Sequence, residues 1–280
     1  MAQIKKALLI LEMIRLHLGF ITIQVEYQII ILEKKDYITT ITLNRPDSLN
    51  ALNDQIVNEM SDAFASADSD EDTRVVVITG VGRAFCSGAD LREERSGRQA
   101  GVIRTFADRI FAALDIGKPI VASINGVAVG GGCTMTLSCD IRIASEAAKF
   151  QLPFTRLGIC TELGSTYLLP RLVGMGKAAE IILTSKMFDA KEAKEIGLVN
   201  QIVPADELAN ATYEMASSIA KLPPLAVQMN KRGLRQGVNT DLPAQLRYEA
   251  LANTYLFRTE DHKEAVRAFR EKREPTYTGM

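Results

Sequence analysis

Three short apolar runs constrain this chain more than anything else in it: Arg74-Val-Val-Val-Ile-Thr79, Pro119-Ile-Val-Ala-Ser-Ile124 and Asp140-Ile-Arg-Ile-Ala144. Each is too short for a stable helix, and in the first two the apolar residues follow one another instead of alternating with polar ones, the third being similar but for Arg142. A strand of that kind is covered on both faces, as in a parallel sheet flanked by helices. The first run closes at Gly80 and the second at the turn Asn125-Gly126. Helical spacing fills the gaps. Ile56, Val57, Met60, Phe64 and Ala67 recur on one face behind Asn53, an N-cap residue. A helical stretch is expected around Val102–Leu114, and a short helix from Gly130-Gly131-Gly132 to about Ser138. Upstream, Tyr37–Leu43 reads as a strand stopped by Asn44-Arg45-Pro46-Asp47.

Strands separated by helices predict an α/β architecture. The end of the chain differs, because Asp206–Lys221, Leu225–Arg235, Leu242–Phe257 and Glu260–Lys272 all read as helix, punctuated by Pro223-Pro224 and Pro243. The expected organisation is an N-terminal extension at 1–24, an α/β core at 25–200 and a helical region at 201–280. In the extension, Lys5 and Lys6 precede an apolar stretch, Ala7–Leu18, that is broken by Glu12, Arg15 and His17. It is too short to span a bilayer and no small-residue cleavage site follows. It reads as an added amphipathic helix or as the product of an upstream start codon, with Met13 as the alternative start.

Composition narrows the chemistry. Across 280 residues, 33 Lys and Arg oppose 34 Asp and Glu for a net charge of −1, which argues against a general nucleic-acid binder. The arginines Arg92, Arg95, Arg98, Arg104 and Arg109 are diluted by Glu93, Glu94 and Asp108 and read as a solvated face. Only two histidines exist, His17 and His262, one near each end, which disfavours a histidine-dependent hydrolase or a zinc site. Cys86, Cys133, Cys139 and Cys160 form no C-x-x-C pair and are expected to be reduced thiols of a cytosolic protein. Carboxylates and backbone dipoles remain as the chemical resources.

Two glycine-bearing loops follow buried strands. Gly130-Gly131-Gly132 lacks the spacing of a dinucleotide fingerprint, and Gly176-Lys177-Ala178 fails the phosphate-loop pattern at its last position. Three glycines alone indicate little beyond flexibility or close packing. A helix that opens with glycines does, however, present unpaired N–H groups that a ligand oxygen can approach closely. The second loop, Gly82-Arg-Ala-Phe-Cys-Ser-Gly-Ala-Asp-Leu91, has the same setting. One N–H from each would polarise a single carbonyl.

The stretches Leu43-Asn-Arg-Pro46, Asn50-Ala-Leu52, Ala84-Phe-Cys-Ser-Gly-Ala-Asp-Leu91, Lys118-Pro-Ile-Val-Ala122, Asn125-Gly126, Gly130-Gly-Gly-Cys133, Cys139-Asp-Ile141, Gly197-Leu-Val199 and Phe269-Arg-Glu-Lys-Arg273 occur in one order. In them the chain resembles the crotonase (enoyl-CoA hydratase/isomerase) superfamily over nearly everything after residue 24. The resemblance implies a spiral of β-β-α turns followed by a helical trimerisation region, assembled as homotrimers or hexamers. It implies an acyl-CoA substrate of the kind handled in fatty-acid β-oxidation, and no separate cofactor, metal, nucleic acid or membrane partner. The amides of Ala89 and Gly131 would form the oxyanion hole for a thioester enolate, and Lys272 would meet the CoA phosphates. Ala84, Ser87, Asp90, Leu91, Gly130, Thr134 and Phe154 fall at substrate-groove positions. Asp90 and Arg92 have a plainer reading as structural groups, as does Asp140, and Cys133 lacks an imidazole partner for nucleophilic work.

The resemblance does not fix the reaction. Hydratases of the superfamily carry two glutamates, one just after G-G-G-C and one after a Q-P pair. Here those positions hold Thr134 and Phe154, neither of which does acid–base chemistry near neutral pH. Glu162, in Leu157-Gly-Ile-Cys-Thr-Glu-Leu-Gly-Ser-Thr166, reads from spacing alone as an ordinary acidic residue near a helix N-terminus. By resemblance it is the base of a 3,2-enoyl-CoA isomerase, with Phe154, Leu157, Ile159 and Leu163 expected to desolvate it. The expectation is therefore a 3-enoyl to 2-trans-enoyl-CoA isomerase. Hydration or isomerisation of a ring-derived thioester is the alternative within the superfamily. A non-catalytic acyl-CoA- or RNA-binding member would keep Ala89, Gly131 and Lys272 without needing Glu162.

Overall fold

The computed structural model describes residues 27–92 and 106–280, with backbone alone for Phe106 and Ala107. The sequence readings for residues 1–24, for Val102–Thr105 and for Arg95, Arg98 and Arg104 lie outside the described residues. The elements are β1 (Ile30–Lys35), β2 (Ile38–Leu43), α1 (Asp54–Ser69), β3 (Val75–Gly80), β4 (Ala84–Cys86), α2 (Phe106–Leu114), β5 (Ile120–Ile124), β6 (Val127–Val129), α3 (Gly131–Leu137), β7 (Ile141–Ser145), β8 (Lys149–Gln151), α4 (Ser165–Val173), α5 (Met175–Thr184), β9 (Phe188–Asp189), α6 (Ala190–Glu195), β10 (Gln201–Val203), α7 (Leu208–Ala220), α8 (Pro224–Gly237), α9 (Leu242–Leu256) and α10 (Glu260–Glu271).

The strands form two sheets. One has the order β1-β2-β3-β5-β7-β10 and the other β4-β6-β8-β9. In the larger sheet only the β1/β2 pair is antiparallel. Consecutive strands are dealt out alternately: β3, β5 and β7 enter the large sheet, while β4, β6 and β8 turn into the small one. A helix follows each pair, so the chain advances as a β-β-α spiral. The Asn125 amide donates to the Gly82 carbonyl and ties one coil's turn to the previous coil.

Both faces of the large sheet are buried along its central strands β3, β5 and β7, while the edge strand β1 is exposed at five of its six residues. Along β3, Val76 and Ile78 face the main core with Ile56, Met60 and Phe64 of α1, whereas Val75 and Val77 face Leu208, Ala216 and Ala220 of α7. This is the period of two expected of a strand, with apolar residues on each side. The N-cap reading of Asn53 holds: its side-chain oxygen accepts the Ile56 N–H at 2.9 Å.

Beyond residue 200 the chain is not wholly helical. Gln201–Val203 first joins the large sheet beside Ile143–Ser145. Strands of two or three residues, here β4, β6, β8, β9 and β10, are too short to show a period and are recognised only through their partners. Among the described residues no helix is long and apolar enough to cross a membrane.

Candidate active site

The two glycine loops meet at the ends of β4 and β6. The first is held by Leu52, whose N–H donates to the Gly88 carbonyl at 2.7 Å and whose carbonyl accepts the Asp90 N–H at 2.9 Å. That bridge leaves the Ala89 N–H directed away from Leu52. The second loop starts α3, with Gly130 as N-cap at φ +54° and its N–H donated to Gln151. Among the described residues, neither the Ala89 N–H nor the Gly131 N–H has a protein acceptor. A Cβ on Gly88, which stands at φ +86°, would lie 2.7 Å from the Val129 carbonyl and 3.3 Å from the Gly131 nitrogen. Only glycine permits the two loops to press together in this way. The arrangement offers two open backbone donors, one per loop, as an oxyanion site requires.

Glu162 enters beside them. A Cβ on Gly131 would sit 3.4 Å from Glu162 Oε1 and 3.1 Å from Leu52 Cδ1. The half-buried Glu162 lies in the loop before α4, flanked by the buried Leu163. Of the four residues expected to desolvate it, Phe154 and Leu163 are buried, but Leu157 and Ile159 are 53% and 56% exposed. This corrects the sequence reading. The single 3-10 turn Thr155–Leu157 ends in left-handed Gly158, and the chain reverses with those two side chains on its outer surface.

Thr134 is fully buried inside α3 and its hydroxyl donates back to the Gly130 carbonyl at 3.2 Å. Phe154 is 5% exposed, and its Cζ would lie 4.0 Å from a Cβ on Gly130. The positions on either side of Gly130 are thus occupied by a self-satisfied hydroxyl and an aromatic ring. Behind the Glu162 turn, Phe111 and Leu168 border Gly164 and also wall a cleft of about 300 Å³ lined further by Leu114, Leu137, Tyr167 and Leu172.

The remaining candidates take other places. Ala84 is buried in β4, where its carbonyl accepts the amides of Asn50 and Asn125. Ser87 is half-buried, and its N–H donates to Leu49. Leu91 is 74% exposed. Asp90 is buried against Arg45 at 3.2 Å and Arg92 at 3.6 Å. Burial alone would raise the Asp90 carboxyl, but the Arg92 N–H and the Arg45 guanidinium hold it below the ordinary value. Asp140 accepts the Ile120 N–H and pairs with Lys231 and Arg235, a structural anchor. Lys272 is exposed at φ +54° as the C-cap of α10, and makes no hydrogen bond or ion pair to Ala89, Gly131 or Glu162. His262 is half-buried in α10 with its ring 5.1 Å from that of Phe257. Cys133 is fully buried beside the site, and burial pushes its thiol up to about 12, so it is no nucleophile.

Two contributors escaped the sequence reading. Leu52 was legible only as part of a motif, yet it bridges Ala89 and touches the Gly131 position. Asn50 is fully buried; its side chain accepts the Arg45 N–H and donates to Val81 and Ala84. A buried amide in a loop has no periodic signature, so nothing short of the fold reveals it.

Comparisons with known proteins agree with this architecture. The family model described as enoyl-CoA hydratase/isomerase matches residues 33–280. A short-chain-enoyl-CoA hydratase of Clostridium acetobutylicum is 40% identical over 251 residues, covering 87% of this chain and 95% of that protein. A 2,3-dehydroadipyl-CoA hydratase of Escherichia coli is 36% identical over 251 residues, covering 89% and 98%. The crystal structure of an enoyl-CoA hydratase from Bacillus anthracis superimposes with a TM-score of 0.86 at 37% identity, covering 90% of this chain and 100% of that one. With its spiral of β-β-α turns, its paired glycine loops and this match along almost its whole length, the chain belongs to the enoyl-CoA hydratase/isomerase family.

Proposed function

We propose that the protein is an acyl-CoA isomerase that moves the double bond of a 3-enoyl-CoA to the 2-trans position. The observation that carries this reading is the placement of Glu162 Oε1 beside Gly131 while the two flanking positions hold Thr134 and Phe154. One carboxylate next to an oxyanion site suits a reaction in which a proton leaves one carbon and returns to another. The Ala89 and Gly131 N–H groups polarise the thioester carbonyl, and Glu162 takes the proton from C2. The dienolate oxygen draws on the two amides, and the Glu162 carboxylic acid gives the proton to C4. Atoms and charge balance without a metal or redox cofactor. Phe154 and buried Leu163 keep the path of that proton short of water.

The relatives named as hydratases favour hydration, and that is the competing reading. Hydration needs a group to activate water beside the double bond. A Thr134 hydroxyl spent on Gly130 and the Phe154 ring supply none. The test is a paired assay of the protein and Glu162→Gln on a 3-enoyl-CoA and a 2-enoyl-CoA. The expected result is a conjugated thioester from the first, no hydration of the second, and a rate lowered about 10²–10⁴-fold in the variant. Hydration that survives Glu162→Gln sinks the isomerase reading.

Self-association belongs to the same proposal. Leu242, Leu246, Leu251, Tyr255, Phe257 and Phe269, on and around α9 and α10, stand 53–86% exposed. Leu242 and Leu246 lie on one side of α9 and Leu251 and Tyr255 on the other, and a second copy of this chain is the proposed cover for these apolar side chains. Lys272, at the end of α10, is proposed to reach the CoA phosphates in that assembly.

A further inference from the structure

The turn that carries Glu162 has an unusual backbone: Leu163 stands at φ +56° and Gly164 at φ +67°. A residue with a side chain rarely enters the left-handed region, and where one does the surroundings must hold it there. The restraints are visible. Leu163 is buried at 4% exposure, and the Glu162 carbonyl accepts the Ser165 N–H at 3.1 Å. Across the turn, the Thr161 and Ser165 hydroxyls lie 2.5 Å apart, one donating to the other, with Ser165 fully buried. Neither hydroxyl caps α4. Its N-cap is Gly164, which has no side chain, and the two oxygens are spent on each other across Glu162.

We propose that Thr161 and Ser165 are positioning residues: their hydroxyl bridge closes the turn around Glu162 and aims its carboxylate at the Gly131 side of the oxyanion site. The proposal rests on the reading of Glu162 as the base. The bridge spans residues 161 to 165 and the backbone bond spans 162 to 165, so the turn is tied by two nested links. With the side-chain link cut, the backbone bond and Leu163 remain, so the turn survives while the carboxylate loses its fixed direction. The loss falls on the chemical step more than on thioester binding, because Ala89 and Gly131 sit on other elements.

Three variants test this. Thr161→Val removes the hydroxyl and keeps the shape, Thr161→Ser keeps the hydroxyl, and Ser165→Ala removes the other half of the bridge. On a 3-enoyl-CoA, Thr161→Val and Ser165→Ala are expected to lower kcat about 10–100-fold, the cost of a sub-ångström to ångström misplacement, with KM within about twofold. Thr161→Ser is expected to restore the rate. Placed in Glu162→Gln, Thr161→Val is expected to lower the residual rate no further, since it acts through Glu162. Wild-type kcat in Thr161→Val, equal damage from Thr161→Ser, or additive loss in the double variant overturns the proposal. Should Ser165→Ala not fold, the Thr161 pair and the double variant decide the matter alone. Full isomerisation by Glu162→Gln overturns the assignment of the base itself. An inactive Glu162→Gln beside an unaffected Thr161→Val overturns the bridge only.

Discussion

Asn50, buried at φ +54°, shows how single polar side chains hold the site's frame. Its amide joins Arg45 to Val81 and Ala84, the segment that leads into the first glycine loop. Asn50→Ala takes this amide from the Arg45 N–H and the Val81 carbonyl, leaves the Ala84 carbonyl to Asn125, and is expected to cost about 3 kcal/mol, read as a lower urea midpoint. Asp90 gives a pH signature. Its folded-state pKa is depressed, so its stabilisation is complete above the unfolded carboxylate value of about 3.9 and is lost as pH falls through the lower folded value. Asp90→Asn is expected to be less stable than wild type at pH 6, with the two converging toward pH 2. The cysteines divide sharply. Cys86, Cys133 and Cys139 are buried with thiols pushed up to about 12, whereas Cys160 is exposed two residues before Glu162. One thiol per chain is expected to react with a disulfide reagent under native conditions and four in denaturant, with Cys160→Ser abolishing the native reaction.

At the scale of elements, the parts that the sequence discloses are those whose physics is local. The N-cap of α1 is one residue and one hydrogen bond, and Asn53→Ala is expected to destabilise by about 1 kcal/mol in denaturant melts. The runs in β3 and β5 are apolar on both faces, which only a doubly covered sheet satisfies, so they were legible without any partner, whereas β7 carries the buried Arg142. The small sheet was not, since β4, β6 and β8 have three residues each and exist through pairing with one another. Glu162 shows the same limit at the site. Its spacing before α4 is that of any acidic residue near a helix start, and only resemblance singled it out. Its surroundings were half legible: hydrophobicity foretold the burial of Phe154 and Leu163, but the reversal at Gly158 turned Leu157 and Ile159 outward. Element anchoring also escaped notice. Buried Lys231 of α8 reaches the Lys118 carbonyl at 2.6 Å and Asp140 at 2.8 Å, fastening the helical region to the sheet.

At the scale of the molecule, α9 and α10 carry the exposed apolar side chains on which the proposed self-association rests. Sedimentation is expected to find an assembly larger than the 30.7 kDa chain, and Leu251→Glu with Phe269→Glu to shift it toward the single chain. A monomer at all concentrations would remove self-association from the proposed function. The alternation of strands between two sheets has a separate consequence. Because each coil of the spiral delivers one loop to the site, Ala89, Gly131 and Glu162 come from three successive coils that meet there, with Leu52 set against both of the first two. In the proposed function the carbonyl clamp and the proton carrier therefore sit on different coils. Under that proposal chemistry on such a frame is exchangeable: replacing the carboxylate of one coil is expected to rewrite the reaction while the proposed grip on the thioester stays in place.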